Sequence, residues 1–201
     1  MATKYFTCAE TAKLIRKALK EAFPGVKFSV KSHTYSGGAS INVSWTDGPN
    51  ADQVEAVAGH FKAAYFDGSI DYKGSIYHMM EGQSVHFGAD FIFCERQYSD
   101  AAIIAAIEAV YRRLEGNFKH DGITKPTLED FQRGRLWNVQ LSGLHVYGNQ
   151  SVAGEINAVL SKRSDRMKVE KSATAAAVFV THDDGYSRTN GAGMSAVPAD
   201  L

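Results

Sequence analysis

Hydrophobic residues in the first fifty positions follow first a helical and then an extended pattern. Thr7 and Glu10 have the spacing of a capping box, apolar residues recur at helical spacing after them, and Pro24-Gly25 ends the pattern. Apolar and polar residues then alternate at 26–31 and again at 41–46, with glycines between the two segments. The pattern predicts a helix followed by an antiparallel hairpin.

The same order of elements is predicted a second time. Asn50 is placed to cap a helix whose apolar face includes Phe61 and Tyr65, and alternation at 69–78 and 85–98 predicts two more strands. Ser99 then caps a third helix, with Gly116 just past its end. The order α-β-β-α-β-β-α, with hairpins in place of crossovers, predicts an α+β fold in which helices pack on one face of an antiparallel sheet.

Signals weaken after Gly116. A short helix from Thr127, a strand at 136–141, a helix at 151–162 and a last strand at 175–180 are expected. We therefore predict a core domain at 1–116, a smaller α/β appendage packed on it at 117–182, and a disordered tail at 183–201, which is rich in Gly, Ser and Ala.

Charge and cysteine content narrow the classes of function. Twenty-two basic residues balance twenty-two acidic ones, so neither a global basic field for nucleic acid nor an acidic mimic of DNA is indicated. The two signs are nevertheless separated along the sequence, since residues 1–33 carry +5 and residues 34–100 carry −6. Two cysteines cannot form a disulfide scaffold, and no apolar run suits a membrane span or a signal peptide, so we expect a cytoplasmic protein.

Motifs for catalysis and metal binding are missing from the sequence. The Walker, dinucleotide-binding, nucleophile-elbow and H-E-x-x-H patterns do not occur. Cys94 has no visible base beside it, and Asp67 with Asp71 lacks the further oxygen ligands of a calcium loop. No two histidines have the spacing of paired metal ligands: His33, His60, His78, His86, His120, His145 and His182. We expect no catalytic residue, no metal and no cofactor.

A basic surface on the first helix and first strand is the candidate for contact with nucleic acid. Clustered cations neutralise phosphate charge, although a solvated helix face explains them equally well. Its members are Lys13, Arg16, Lys17, Lys20, Lys27 and Lys31. Aromatic residues that could add stacking are Tyr35, Trp45, Tyr72 and Tyr77, of which Trp45 alternates with core residues and is expected to be buried.

Four stretches carry a resemblance to a known family: CAETAKLIR at 8–16, FPGVKFSV at 23–30, YSGGASINVSWTDGP at 35–49 and FDGSID at 66–71. With them, residues 5 to about 100 resemble one of the large polyvalent protein associated domains, which are modules of phages, plasmids and other mobile elements. The resemblance implies a mobile-element origin and a role in protecting incoming DNA or in acting against host defences. It supplies no catalytic residues.

Two functional hypotheses from different classes follow. The first is a counter-defence protein, such as an anti-CRISPR or antirestriction factor, that binds and occludes a host defence protein or ribonucleoprotein complex. Its candidate surface is a set of turn and helix-end residues: Tyr35, Gly37, Gly38, Asp47, Asp67 and Asp71. The alternative is an accessory nucleic-acid-binding module of phage or plasmid DNA metabolism that uses the basic surface. An enzyme acting on a host target is a third alternative, and an uncovered sheet face or edge strand would allow a homodimer.

Overall fold

A computed structural model gives the structure, and it describes residues 2–144, 151–165 and 167–186. The helices are α1 Cys8–Ala22, α2 Ala51–Ala58, α3 Asp100–Arg113, α4 Glu115–His120, α5 Leu128–Gln132, α6 Val152–Lys162 and α7 Ala173–Ala176, with a 3-10 turn at Gly59–Phe61. The strands are β1 Lys4–Tyr5, β2 Ser29–Tyr35, β3 Gly38–Thr46, β4 Ala64–Asp67, β5 Tyr72–Met80, β6 Gln83–His86, β7 Phe91–Gln97 and β8 Val178–Asp183. The α+β class is confirmed.

The chain divides into two compact units. The first unit comprises the described residues of 1–45, 51–95 and 167–201, and the second comprises those of 46–50 and 96–166. The predicted boundary at residue 116 falls inside the second unit. The predicted boundary at residue 182 falls inside β8, which belongs to the first unit, and residues 187–201 of the predicted tail lie outside the described residues.

Two sheets are present where the sequence predicted one. The larger has the order β1-β6-β5-β4, with β8 also paired to β5, and its β1–β6 pair is parallel while the others are antiparallel. The smaller has the order β2-β3-β7. The predicted hairpin of the first two strands is confirmed as β2 and β3, with Tyr35 opposite Gly38.

The core of the first unit begins at α1. The predicted capping box is present, since Glu10 donates its backbone N–H to the Thr7 hydroxyl and accepts from the Thr7 backbone. Behind it, Gly88 lies so close that a Cβ at that position would meet backbone atoms of residues 6–8 at 2.5–2.6 Å. Only glycine fits there, and its N–H donates to the buried Thr11 hydroxyl at 3.1 Å.

The second unit is built on α3 and α6. Ile107, Phe118, Ile156 and Leu160 are buried together in its core, and Ser99 caps α3 as predicted by accepting from the Ala102 N–H. Apolar residues at helical spacing explain both helices.

Arg96 joins residues 47–48 to the carboxyl end of α6 within the second unit. Its guanidinium donates to the carbonyl oxygens of Asp47 at 3.1 Å and Gly48 at 3.0 Å. It also donates to those of Leu160 at 3.1 Å and Arg163 at 2.6 Å. Only 4% of this side chain is exposed. An arginine fork can satisfy several carbonyls at once, which is why one side chain fixes both segments.

Several element bounds differ from the prediction. The second helix ends at Ala58, so Tyr65 lies in β4 and not on the helix. The predicted strand at 85–98 is divided into β6 and β7, because Gly88 is held against the start of α1. Residues 136–138 belong to a turn and residues 139–141 have no regular secondary structure, so the predicted strand is wrong. Leu136 and Leu141 are both buried, and the Val139 N–H closes a turn on the Leu136 carbonyl at 3.3 Å.

None of the helices in the described part of the chain has the length and the apolar run that a membrane crossing requires.

Candidate partner-binding site

One face of the five-stranded sheet carries two rows of mostly apolar or aromatic side chains. On β5 and β8, Tyr77 lies opposite His182 and Met79 opposite Phe179. Alternate residues of a strand share a face, and the pairing of Met79 with Ser84 and of Tyr5 with His86 continues the rows across β6 and β1. We call this surface the aromatic face: Tyr5, His86, Tyr77 and His182 in one row, and Ser84, Met79 and Phe179 in the next.

The large side chains of the aromatic face are open to solvent. Tyr5 is 74% exposed, Phe179 63%, Tyr77 41% and Met79 38%. The Tyr77 ring stacks on His182 with centroids 4.5 Å apart, and Tyr5 lies against His86 at 5.6 Å. Contiguous exposed apolar and aromatic area of this kind marks interaction sites, whereas scattered single residues do not.

On β5 and β6 the residues next to those of the aromatic face point into the core, as does Val178 at the start of β8, whereas Val180 is exposed. His78, Val85 and Val178 are buried, and the His78 ring meets Phe87 edge-on at 5.0 Å. Burial lowers the pKa of His78 to about 4, so this histidine is neutral near pH 7. These buried residues give the face a packed support, although the β5–β8 pairing is interrupted by a register shift between Tyr77 and His78.

Asp184 fixes the chain just beyond β8. Its carboxylate accepts hydrogen bonds from the hydroxyls of Tyr65 and Tyr72 and, at 2.8 Å, from the Ser75 N–H. Burial alone would raise the pKa of Asp184, but these hydrogen bonds lower it. The hydrogen bond to Asp184 also raises the pKa of Tyr72 to about 12. The ring of Tyr72 stacks on Tyr186 at 4.2 Å, which completes the anchor.

The structure places three of the predicted partner-binding residues together at the β2–β3 turn. Tyr35 is half exposed, and Gly37 has the positive φ of 87° that this tight turn requires. Gly38 packs so closely that an added Cβ would lie 2.7 Å from the Asp90 carboxylate. Asp90 in turn pairs with Lys73 at 3.1 Å, so it connects this turn to β5.

The three predicted aspartates lie in different places. Asp67 and Asp71 flank the turn between β4 and β5, where the Asp67 carboxylate accepts from the Ser69 N–H at 2.9 Å and Asp71 is exposed with a φ of 50°. Asp47 lies in the second unit and accepts from the Ser99 N–H at 2.9 Å. Asp47 therefore belongs to a different unit from Asp67 and Asp71.

The six predicted cations are all exposed, and the structure brings the two runs into contact. Arg16 donates to the Val30 carbonyl at 2.7 Å, which places β2 and its Lys31 beside α1. Lys17 faces Glu21 at 3.9 Å. Two of the α1 cations therefore also have contacts within the protein, while Lys13, Lys20 and Lys27 project as the pattern predicts.

The cysteines and histidines do not form a reactive centre in the described residues. Burial raises the pKa of the Cys94 thiol to about 12 and that of Cys8 above its ordinary value, which keeps both protonated. No cluster of three or more His, Cys, Asp or Glu suited to a metal occurs in the part of the chain that the structure describes, and His145 lies outside that part.

Sequence reasoning missed most of the aromatic face. The sequence indicates Tyr77 as a stacking residue, but Tyr5 lies in a two-residue strand, and for the segment of Phe179 it predicts only a short strand at 175–180. Asp184 lies in the segment predicted to be disordered. The apolar, β-branched and aromatic run at 178–180 was the available signal, but such a run does not tell which strand a segment joins.

Residues 6–99 match the family model of the large polyvalent protein associated domain 29, so the resemblance seen in the sequence is confirmed over that segment. No curated protein and no solved structure matches the chain.

Proposed function

We propose that this protein is a counter-defence factor of a phage or plasmid, which binds and occludes a host defence protein through the aromatic face. Its association with phages and mobile elements rests on the family match over residues 6–99. The observation that carries the proposal is the exposure of Tyr5, Tyr77, Met79 and Phe179 on one packed sheet face. Aromatic and methionine side chains are enriched in protein interfaces and provide most of their binding energy.

Charge favours a protein as the partner of the aromatic face. The described residues of the first unit contain 11 Lys and Arg against 12 Asp and Glu. A surface that tracks a nucleic-acid backbone needs an excess of cations, which this unit lacks. A protein partner needs instead a few aromatic anchors surrounded by polar residues. Asp90 with Lys73, and the predicted Tyr35, Asp67 and Asp71 at the turns of the same unit, are further polar residues that a partner could contact.

The test is capture of a host component by the full chain and by two matched variants. Phe179→Ala removes an anchor of the aromatic face, and Phe93→Ala removes a comparably exposed phenylalanine from β7 in the other sheet. A tagged protein is incubated with host lysate, and the retained proteins are quantified by mass spectrometry. Removal of a central anchor weakens binding by roughly 2 kcal/mol, or about thirtyfold.

We expect the full chain and Phe93→Ala to retain a component of a defence system, and Phe179→Ala to lose it. Retention of no defence component by the full chain would refute the proposal. Equal retention by Phe179→Ala and Phe93→Ala would show that the partner does not bind through the aromatic face.

A second candidate function is nucleic-acid binding by the basic surface of α1 and β2. The observation in its favour is the hydrogen bond from Arg16 to Val30, which joins the two runs of cations. Phosphate contacts make the logarithm of affinity fall linearly with the logarithm of salt concentration. Binding of DNA or RNA at low ionic strength that weakens in this way, and that is lost in the Lys13→Glu, Lys20→Glu double variant, would support it; no binding at low ionic strength would end it.

A further inference from the structure

A groove lies between α3 and α6 in the second unit, outside the segment that matches the family model. Its volume is about 390 Å³, which falls in the range of small-molecule sites. The lining combines three small apolar residues with three cations: Ala109, Ala158 and Val159, and Arg113, Lys162 and Arg163. It therefore offers an apolar floor beside a positive wall.

Lys162 and Arg163 are not needed for the usual task of cations at that position. Basic residues at the carboxyl end of a helix ordinarily neutralise its unpaired carbonyls. Here Arg96 already donates to the carbonyls of Leu160 and Arg163, and Asn50 lies 3.5 Å from that of Lys162. In the described ranges neither Lys162 nor Arg163 makes a salt bridge through its side chain. Both side chains are exposed and line the groove.

Arg113 is held in the groove wall by a second interaction. One of its terminal nitrogens contacts the carboxylate of Glu155, which is largely buried at the first turn of α6. A guanidinium has five N–H donors, so this pair leaves others for a ligand. The pair also fixes the direction of the side chain, which lowers the entropy lost when a ligand binds.

The shape of the apolar floor narrows the class of ligand further. Ala109, Ala158 and Val159 carry short side chains on facing helices, and such a floor suits a flat ring lying against it. Arginine and lysine donate to phosphate oxygens through charge-assisted hydrogen bonds. We propose that the α3–α6 groove binds a phosphorylated small molecule with a flat ring system, of the size of a nucleoside monophosphate. Phosphate contacts Arg113, Lys162 and Arg163, and the ring covers the apolar floor.

This site is independent of the aromatic face. All of its residues belong to the second unit, whereas the aromatic face belongs to the first. Loss of a host partner would leave the groove proposal intact, and absence of a ligand in the groove would leave the partner proposal intact.

The test is calorimetric titration of the full chain with adenosine monophosphate. Adenosine and inorganic phosphate are titrated separately, which divides the contribution of the floor from that of the cations. Lys162→Ala and Arg163→Ala each remove one phosphate contact, and Ala158→Leu fills the floor. Arg112→Ala is the matched control, because Arg112 is an exposed cation of α3 that does not line the groove.

We expect adenosine monophosphate to bind more tightly than either part alone. Lys162→Ala and Arg163→Ala should weaken binding at least tenfold, since each loses a charge-assisted hydrogen bond, while Arg112→Ala stays within about twofold. The proposal fails if millimolar adenosine monophosphate gives no binding heat, or if the control weakens binding as much as the lining variants. It also fails if phosphate alone binds equally well, or if a single-stranded oligonucleotide binds through the same residues far more tightly.

Discussion

Replacement of Arg96 by alanine should detach the end of α6 from residues 47–48. The guanidinium donates four hydrogen bonds to main-chain carbonyls, and it is almost fully buried. A hydrogen bond to a charged group contributes roughly 1.5–3 kcal/mol, so simple addition over the four bonds gives an upper bound of about 12 kcal/mol. Additivity fails here because the four bonds share one side chain.

The expected loss is therefore smaller than that sum. The Gly48 carbonyl keeps a second donor, the Asp165 N–H at 3.1 Å, and water can reach the carbonyls at the end of α6 once the side chain is gone. A buried carbonyl that is left without its hydrogen-bond donor costs about 1–3 kcal/mol. We predict that Arg96→Ala lowers the free energy of opening of this region by about 3 kcal/mol. Arg96→Lys should lower this free energy by less than Arg96→Ala does, but should still lower it, because an ammonium group cannot reproduce the guanidinium fork.

Hydrogen exchange detected by mass spectrometry measures this free energy of opening in the peptides that cover α6. A change of 3 kcal/mol reduces amide protection more than a hundredfold. Arg133→Ala is the control, since Arg133 is exposed and its contact with Glu129 at 3.2 Å is a surface ion pair worth less than about 1 kcal/mol. A less than tenfold loss of protection in Arg96→Ala, or an equal loss in the control, would contradict the reasoning.

Three further predictions concern the first unit. Gly88→Ala should destabilise the first unit by roughly 2–3 kcal/mol in chemical denaturation, because the new methyl group meets the backbone at the start of α1. Gly59→Ala is the control: its methyl group meets nothing within 4 Å, so stability should change by less than about 1 kcal/mol. The pKa of His78 is lowered by burial from 6.5 to about 4, so stability should be lost as pH falls through that interval, and His78→Phe should flatten the loss in denaturation curves taken across it. The pKa of Tyr72 is raised to about 12 by its hydrogen bond to Asp184, so the tyrosinate absorbance of the wild type should show one group titrating near that value, and Tyr72→Phe should lack it. The stability that this tyrosine contributes should be lost in the wild type as pH rises from 10 to 12, and Tyr72→Phe should not show that loss.

Local signals in the sequence predicted the helices and strands of this fold better than they predicted which elements pack or pair with each other. The capping box at Thr7, the cap at Ser99 and the β2–β3 hairpin depend on residues within a few positions of each other, and the structure contains them. The predicted strand at 136–141 was wrong because Leu136 and Leu141 are each buried where the chain makes a hydrogen-bonded turn. Burial in a turn and burial in a strand leave the same short apolar pattern.

Groups held by long-range contacts gave no signal of their own. Arg96, Asp90 and Asp184 each act through partners between 17 and 119 positions away, so none is part of a motif that can be read locally. The groove between α3 and α6 likewise requires two helices about fifty positions apart. Sequence periodicity shows which side of an element is apolar, but not which distant charges it meets.

The aromatic face shows what the part of the chain beyond the matched family segment adds. Tyr77, Met79, Ser84 and His86 lie within residues 6–99, whereas Phe179 and His182 come from β8, about a hundred residues after β5. Because β8 pairs directly with β5, a face that the family segment begins is widened by a strand outside it. Asp184 then fixes that strand through two tyrosines of the family segment. If the partner is chosen by this face, Phe179 must contribute to the choice, and a protein with the family segment but without β8 should not bind the same partner with the same affinity.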